Sequence, residues 1–230
     1  MTIALVQAAA SPTGTADVHA QSVALGTPAT AHNCLVACIA GYNCNAVEAV
    51  TSAASADNWA AGVIQDNASV TCEIWVDPDC AGGNATVSAG VTTAGLLMVQ
   101  IFEFSGVLAS SPIDVTTSGG SLSVTNTSWS SGTSGTYAAG DVLVGMCSSS
   151  NASVLYTMTG PSSPWTNEAS IGANVTPNRA RMIAGYQITS GGGTMTYAGT
   201  NTGFVRYGAA AIALKAVSSG GSIGSFLPFF

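Results

Sequence analysis

Short apolar or alternating runs, each bounded by Gly, Ser, Thr, Asn or Pro, follow one another along almost the whole chain. Such punctuation leaves little room for helices and specifies strands joined by turns. The clearest strand candidates cover residues 3–7, 34–40, 70–76, 85–91, 96–104 and 141–147, then 153–157, 179–189, 194–197 and 209–216. In Val70-Thr-Cys-Glu-Ile-Trp-Val the even positions Cys72, Ile74 and Val76 fall on one side of a strand. The one helical candidate is 45–56, Ala-rich with Val47, Val50 and Ala54 loosely periodic. The expected class is all-β, an antiparallel jelly-roll-like β-sandwich.

A weak internal symmetry divides the chain. Each half runs strand, Trp-bearing loop, strand, hairpin and long closing strand, with Asn58-Trp59 and Pro164-Trp165 in the two loops. The halves are expected at about 1–117 and 137–217, joined by the Ser/Thr/Gly-rich stretch 118–136 and interleaved in one sandwich domain, 1–217. Residues 218–225 read as a Gly/Ser linker. It leads to a docking tail, Phe226, Leu227, Pro228, Phe229 and Phe230, whose apolar side chains invite burial on a neighbouring subunit, with folding back onto its own domain the alternative.

Charge narrows the function. Only 4 Lys and Arg stand against 11 Asp and Glu, a net charge of −7, and 7% of residues are charged where globular proteins average roughly a quarter. So few cations do not neutralise a run of phosphates or an anionic membrane surface, so no nucleic-acid partner is expected. No apolar run approaches the ~20 residues of a membrane-spanning helix, so no membrane insertion is expected. The N-terminus lacks a basic leader and its apolar run breaks at Gln7, which predicts synthesis without a signal peptide. Ser, Thr, Ala and Gly surfaces lose little rotamer entropy on contact, and Lys and Glu are depleted at interfaces. This composition favours a subunit packed among other subunits.

Chemistry-bearing residues are sparse. The six cysteines include no Cys-x-x-Cys pair, and the cluster of His32, Cys34, Cys38 and Cys44 matches no zinc spacing. Buried core cysteines are the main reading, with Cys72 and Cys80, flanking Asp77-Pro78-Asp79, the best local disulfide candidate. Neither His19 nor His32 lies in a nucleophile motif, and Glu48, Glu73, Glu103 and Glu168 form no pair readable from spacing. No catalytic residue, metal or cofactor is therefore assigned. Glu103 alternates with Phe102 and Phe104, which places it on the opposite face, read as solvent or interface, with Arg206 a candidate cross-strand partner. Trp59, Trp75, Trp129 and Trp165 are read as plugs closing the ends of the sandwich. Trp59 and Trp165 are the alternative glycan-contact residues.

Several of these segments together resemble a broad β-sandwich family of actinobacteriophage virion proteins and bacterial surface modules. They are Ala4-Leu-Val-Gln, the Asn58-Trp59 loop, Phe102-Glu-Phe-Ser-Gly-Val107, Ala139-Gly-Asp-Val-Leu-Val144 and Ala209-Ala-Ala-Ile-Ala-Leu-Lys215. The resemblance implies a non-enzymatic virion protein of the minor-tail or capsid-decoration type. Such a protein is assembled in the host cytoplasm, with other virion subunits and further copies of itself as partners. The alternative it implies is a secreted or surface carbohydrate-binding module that contacts host cell-surface glycans.

Overall fold

The computed structural model describes residues 2–12, 15–52, 57–67, 69–151, 155–175 and 178–217, and all regular structure among them is strand. The first half contributes β1 (Ala4–Ala10), β2 (Thr15–Ala24), β3 (Cys34–Tyr42), β4 (Ala49–Ser52), β5 (Ala60–Ile64), β6 (Val70–Asp77) and β7 (Thr86–Ser105). The second contributes β8 (Ile113–Ser130), β9 (Thr136–Tyr137), β10 (Val142–Asn151), β11 (Met158–Thr159) and β12 (Thr166–Asn167). It continues with β13 (Ile171–Val175), β14 (Asn178–Ile188), β15 (Gly193–Thr194) and β16 (Ala198–Leu214). The antiparallel sandwich is as expected, but the 45–56 segment is not helical. Residues 45–48 run as a loop and β4 follows, its β-branched Val50 buried against β7, while 53–56 lie outside the described residues.

Each half closes its own seven-stranded sheet. The first has the order β1-β7-β3-β6-β5, with β2 and β4 also on β7. The second has β11-β16-β10-β14-β12, with β13 on β14 and β8 on β16, and β9 pairs with β15 separately. The run β7-β3-β6-β5 thus reappears as β16-β10-β14-β12, so the internal symmetry is structural. Among the described residues no strand crosses from one half's sheet to the other's, as interleaving in the manner of a jelly roll would require; the halves share a core instead.

The symmetry also corrects the expected connection. Residues 118–130 belong to β8, which pairs along β16 as β1 and β2 pair along β7. An outer strand needs backbone partners more than apolar side chains. Thr suits such a pleat, and Trp129 alone of β8 is buried, so a strand made of Ser, Thr and Gly has the composition of a linker.

Both faces of the central strands are covered. Val36, Cys38, Phe102, Phe104, Val144, Met146 and Ile212 fill a core between the sheets. The alternate residues Leu35, Ile39, Leu97 and Ile101 enter a second core outside the first sheet, roofed by Val23, Val87, Ala89 and Val91. Leu143, Cys147, Ala209 and Ala211 do the same outside the second sheet, under Trp129, Tyr156 and Tyr197. Hence β3 and β10 are buried at every position and read as continuous apolar runs. The two expected strands 85–91 and 96–104 are one strand, β7, curled so that its start roofs its own end. A Cβ on Gly95, at the bend, would lie 2.7 Å from Cys44 Cβ and 2.8 Å from the Tyr42 carbonyl oxygen, so the close passage there requires glycine.

The cysteines serve these cores as free thiols. Cys72 and Cys80 do not bond. Cys72 faces the core between the sheets, whereas Cys80 enters the outer core beyond the turn after Asp77. Five residues of extended strand from 72 to 77 span about 16 Å, far beyond the ~4.4–6.8 Å between Cα atoms that a disulfide allows. Burial raises the thiol pKa of Cys34, Cys38, Cys72 and Cys147 well above the ordinary range and that of Cys80 to about 11.

Candidate functional site

Glu103 is neither solvent-facing nor paired with Arg206. The outer face of β7 on which it lies is covered by residues 27–33, and it is 0% exposed. Its Oε1 accepts from the Thr30 backbone N–H at 2.9 Å and Asn33 Nδ2 at 2.5 Å, and its Oε2 accepts from Gln7 Nε2 at 2.6 Å. The carboxylate ties β1, β7 and the chain between β2 and β3 together. Arg206 lies on β16 and donates to Ser69 Oγ at 3.3 Å.

Other carboxyl groups are also committed to the fold. Glu73, buried on β6, accepts from the Val47 backbone N–H and Trp75 Nε1, both at 2.7 Å. Burial, with Asp66 beside it, raises its pKa to about 7. Asp66, its own pKa raised by burial, shares a hydrogen bond with Glu73. Asp141 forms a similar pair with Asp114 at the start of β10; burial first and Asp114 second raise its pKa to about 6.

One end of the sandwich gathers acids. Asp77 ends β6, 1% exposed, its pKa raised by burial and by neighbouring Asp57 and Asp79. Asp57 accepts from the Ala81 backbone N–H at 2.8 Å and from Ser52 Oγ and Asn84 Nδ2. Asp79 meets the exposed His32 Nδ1 at 2.9 Å. Among the described residues no group of three or more His, Cys, Asp or Glu side chains could hold a metal ion. Beside these acids, Ala60, Val76 and Pro78 of the first half face Ala109, Pro112 and Ile113 of the second across a cleft of about 300 Å³. The chain's halves are clasped here, with Val107 bridging Ala216 and the Lys215 backbone N–H donating to the Pro112 carbonyl.

Trp59 and Trp165 occupy corresponding loops in the two halves, each half-buried against its own outer core. Trp59 Nε1 donates to Ser52 Oγ at 3.2 Å, which in turn holds Asp57. The Trp165 ring meets Tyr197 edge-on at 4.9 Å between centroids, and Tyr197 lies 5.3 Å from Trp129. Packing of this kind fits the plug reading and leaves each indole partly exposed.

The opposite end carries the three arginines. Asn151, the last residue of β10, pairs with Arg179, Ser149 with Arg181, and Ser150 with Arg206. Arg181 lies 5.9 Å from the centroid of the Tyr156 ring. Around these arginines Leu122 (53%), Leu155 (62%) and Phe204 (58%) stand exposed, with Val124 beside them. No family model, curated protein or solved structure matches the chain. The arginines' scarcity singles them out in the sequence, but the apolar residues around them carry no such signal. Leu122 and Val124 sit in a Ser/Thr-rich stretch, where β8 breaks register with β16 opposite Arg206. Phe226, Leu227, Pro228, Phe229 and Phe230 lie outside the described residues.

Proposed function

We propose that this chain is a non-enzymatic structural subunit of a tailed-bacteriophage particle, of the minor-tail or capsid-decoration type. The observation that carries the reading is the exposed apolar end formed by Leu122, Leu155 and Phe204 on an otherwise Ser/Thr-rich body. Large exposed apolar side chains favour a place where another protein sits, and Phe204 lies two residues from Arg206 on β16, arginine being enriched at interfaces. The phage assignment itself rests on the sequence resemblance. The commitment of Glu103 and Glu73 to backbone and side-chain donors supports a role through shape and burial rather than bond-making.

The 226–230 segment, three Phe and a Leu, is the second docking element of this proposal, anchoring the subunit to its neighbours. Antibody labelling of purified particles, compared between full-length chain and a variant lacking 218–230, tests it. The expected result is labelled particles with the full chain and a folded, unincorporated truncation. Particles that lack the protein altogether would overturn the assignment, and normal incorporation of the truncation would remove the tail's role.

A further inference from the structure

We propose that the cleft between the two halves is the seat of the chain's own segment 226–230, held there in the free subunit until assembly draws it onto a neighbour. The inference rests on the docking role given to that segment above and adds where the segment is kept beforehand.

The cleft opens onto the core that the halves share. Val76 lines it and belongs to that core, while Ile113 lines it from the other half and packs against the same core. Pro78 and Pro112, which also line it, have no backbone N–H to satisfy. An apolar occupant therefore extends a core that is already built. The volume of about 300 Å³ stands at the lower end of the range that takes a small ligand. Such a space suits a few side chains of a peptide and excludes a folded domain. Asn58 and Ser110 at the rim are exposed and carry hydrogen-bonding side chains. A peptide whose sheet pairing is blocked by Pro228 needs such partners for its backbone.

The course of the chain selects the occupant. After β16 the backbone runs beside one wall of the cleft: the Lys215 N–H donates to the Pro112 carbonyl at 2.8 Å, and the Lys215 carbonyl accepts from the Leu108 N–H at 2.9 Å. The Val217 N–H donates to the Gly106 carbonyl at 2.9 Å, about 7 Å of extended chain beyond Lys215. Residues 218–225, Ser-Ser-Gly-Gly-Ser-Ile-Gly-Ser, then separate Val217 from Phe226. A Gly/Ser-rich run of that length has an end-to-end distance of about 16 Å and a limit of ~27 Å, which covers the return to the cleft with slack. Short flexible linkers give an effective concentration of about 1 mM. In a more dilute solution the same segment on another chain does not compete, so the occupant is the chain's own. Seating it also covers three Phe and a Leu whose exposure would invite aggregation.

Photocrosslinking on the full chain at micromolar concentration tests the seat. Ser110→p-benzoylphenylalanine places the reactive group at the rim, and the same substitution at Thr125, exposed on β8, is the control. The expected result is a product of monomer mass joined to 218–230 from the rim, and none from the control. Chymotrypsin is expected to cleave after Phe226 about tenfold more slowly in the wild type than in either of two variants. One is A109W, which obstructs the cleft, and the other is F229S with F230S, which removes two of the side chains that fill it. The factor follows because a segment with a Kd of about 0.1 mM for a separate copy is held about nine-tenths of the time at an effective 1 mM. A cross-link of dimer mass, equal labelling from Thr125, or equal cleavage in the wild type and both variants overturns the seat within the chain. These readouts are made on the free protein. Absence of the protein from particles therefore removes the subunit reading and leaves the seat standing, whereas an incorporated chain with an unprotected segment does the reverse.

Discussion

Removing the Glu103 carboxylate tests the buried network most directly. In Glu103→Ala the Thr30 backbone N–H and Asn33 Nδ2 lose their acceptor inside the protein. Gln7 Nε2 keeps a second one, the Thr27 carbonyl at 2.9 Å. Each orphaned buried donor costs about 1–3 kcal/mol, and the vacated side-chain volume adds to this, giving about 4 kcal/mol in all. Glu103→Gln keeps one oxygen for Thr30 and Asn33 but turns an amide donor toward Gln7 Nε2. Gln7 resists flipping because its Oε1 accepts from the Thr27 backbone N–H at 3.1 Å. The cost of this variant is about 2 kcal/mol, roughly one lost charge-assisted bond. Urea titrations read both values, and thermal melts should fall by about 8–16 °C for alanine and half that for glutamine. A loss below 1 kcal/mol for alanine, or equal losses for the two variants, would refute the assignment of this carboxylate as the acceptor that ties β1, β7 and residues 27–33 together.

Stability should rise as pH falls from 8 to 5. Glu73, raised from 4.5 to about 7, and Asp141, raised from 3.8 to about 6, stay protonated in the folded protein where the unfolded chain has ionised. The folded state is therefore favoured below the unfolded values and loses that advantage as pH climbs through about 6 to 7. The difference is on the order of 2–4 kcal/mol, and melting curves that are flat or reversed across this range count against it. Trp165→Ala and Trp59→Ala should each cost about 2–3 kcal/mol by opening an outer core, without altering retention on glycan arrays. Stable variants that lose measurable glycan binding would favour the carbohydrate-binding alternative. Native protein should expose at most one thiol to a disulfide reagent, the half-buried Cys44, and six after denaturation; two silent thiols after denaturation would reveal a bond.

Particular residues show how far the sequence could be read. The apolar runs 34–40 and 141–147 announced strands because β3 and β10 are buried on both faces, and the Trp59 and Trp165 loops marked a true repeat. Alternation placed Glu103 opposite Phe102 and Phe104 correctly. Alternation reports which face a residue takes, however, and not whether a further layer covers that face. The chain at 27–33 covers it here, which is why the carboxylate is buried. The same blindness hid β7, whose curl depends on Gly95 passing Tyr42 and Cys44, and β8, whose pairing is carried by backbone. Leu155 and Phe204 gave no warning, because a single exposed apolar residue looks in sequence like a core residue.

The separation of the two sheets has a consequence for synthesis on the ribosome. Among the described residues every strand that pairs with β1 to β7 lies within the first 105 residues, so the first sheet and its outer core can assemble before the second half has emerged. Its other face, with Val36, Cys38, Ile74, Met98 and Phe102, must then wait uncovered until β10, β14 and β16 arrive. During that interval the nascent chain offers a bare apolar plane, the kind of surface on which aggregation and exchange of halves between neighbouring chains begin. The interval lasts for about 110 residues of translation, roughly 5–20 s at ordinary elongation rates.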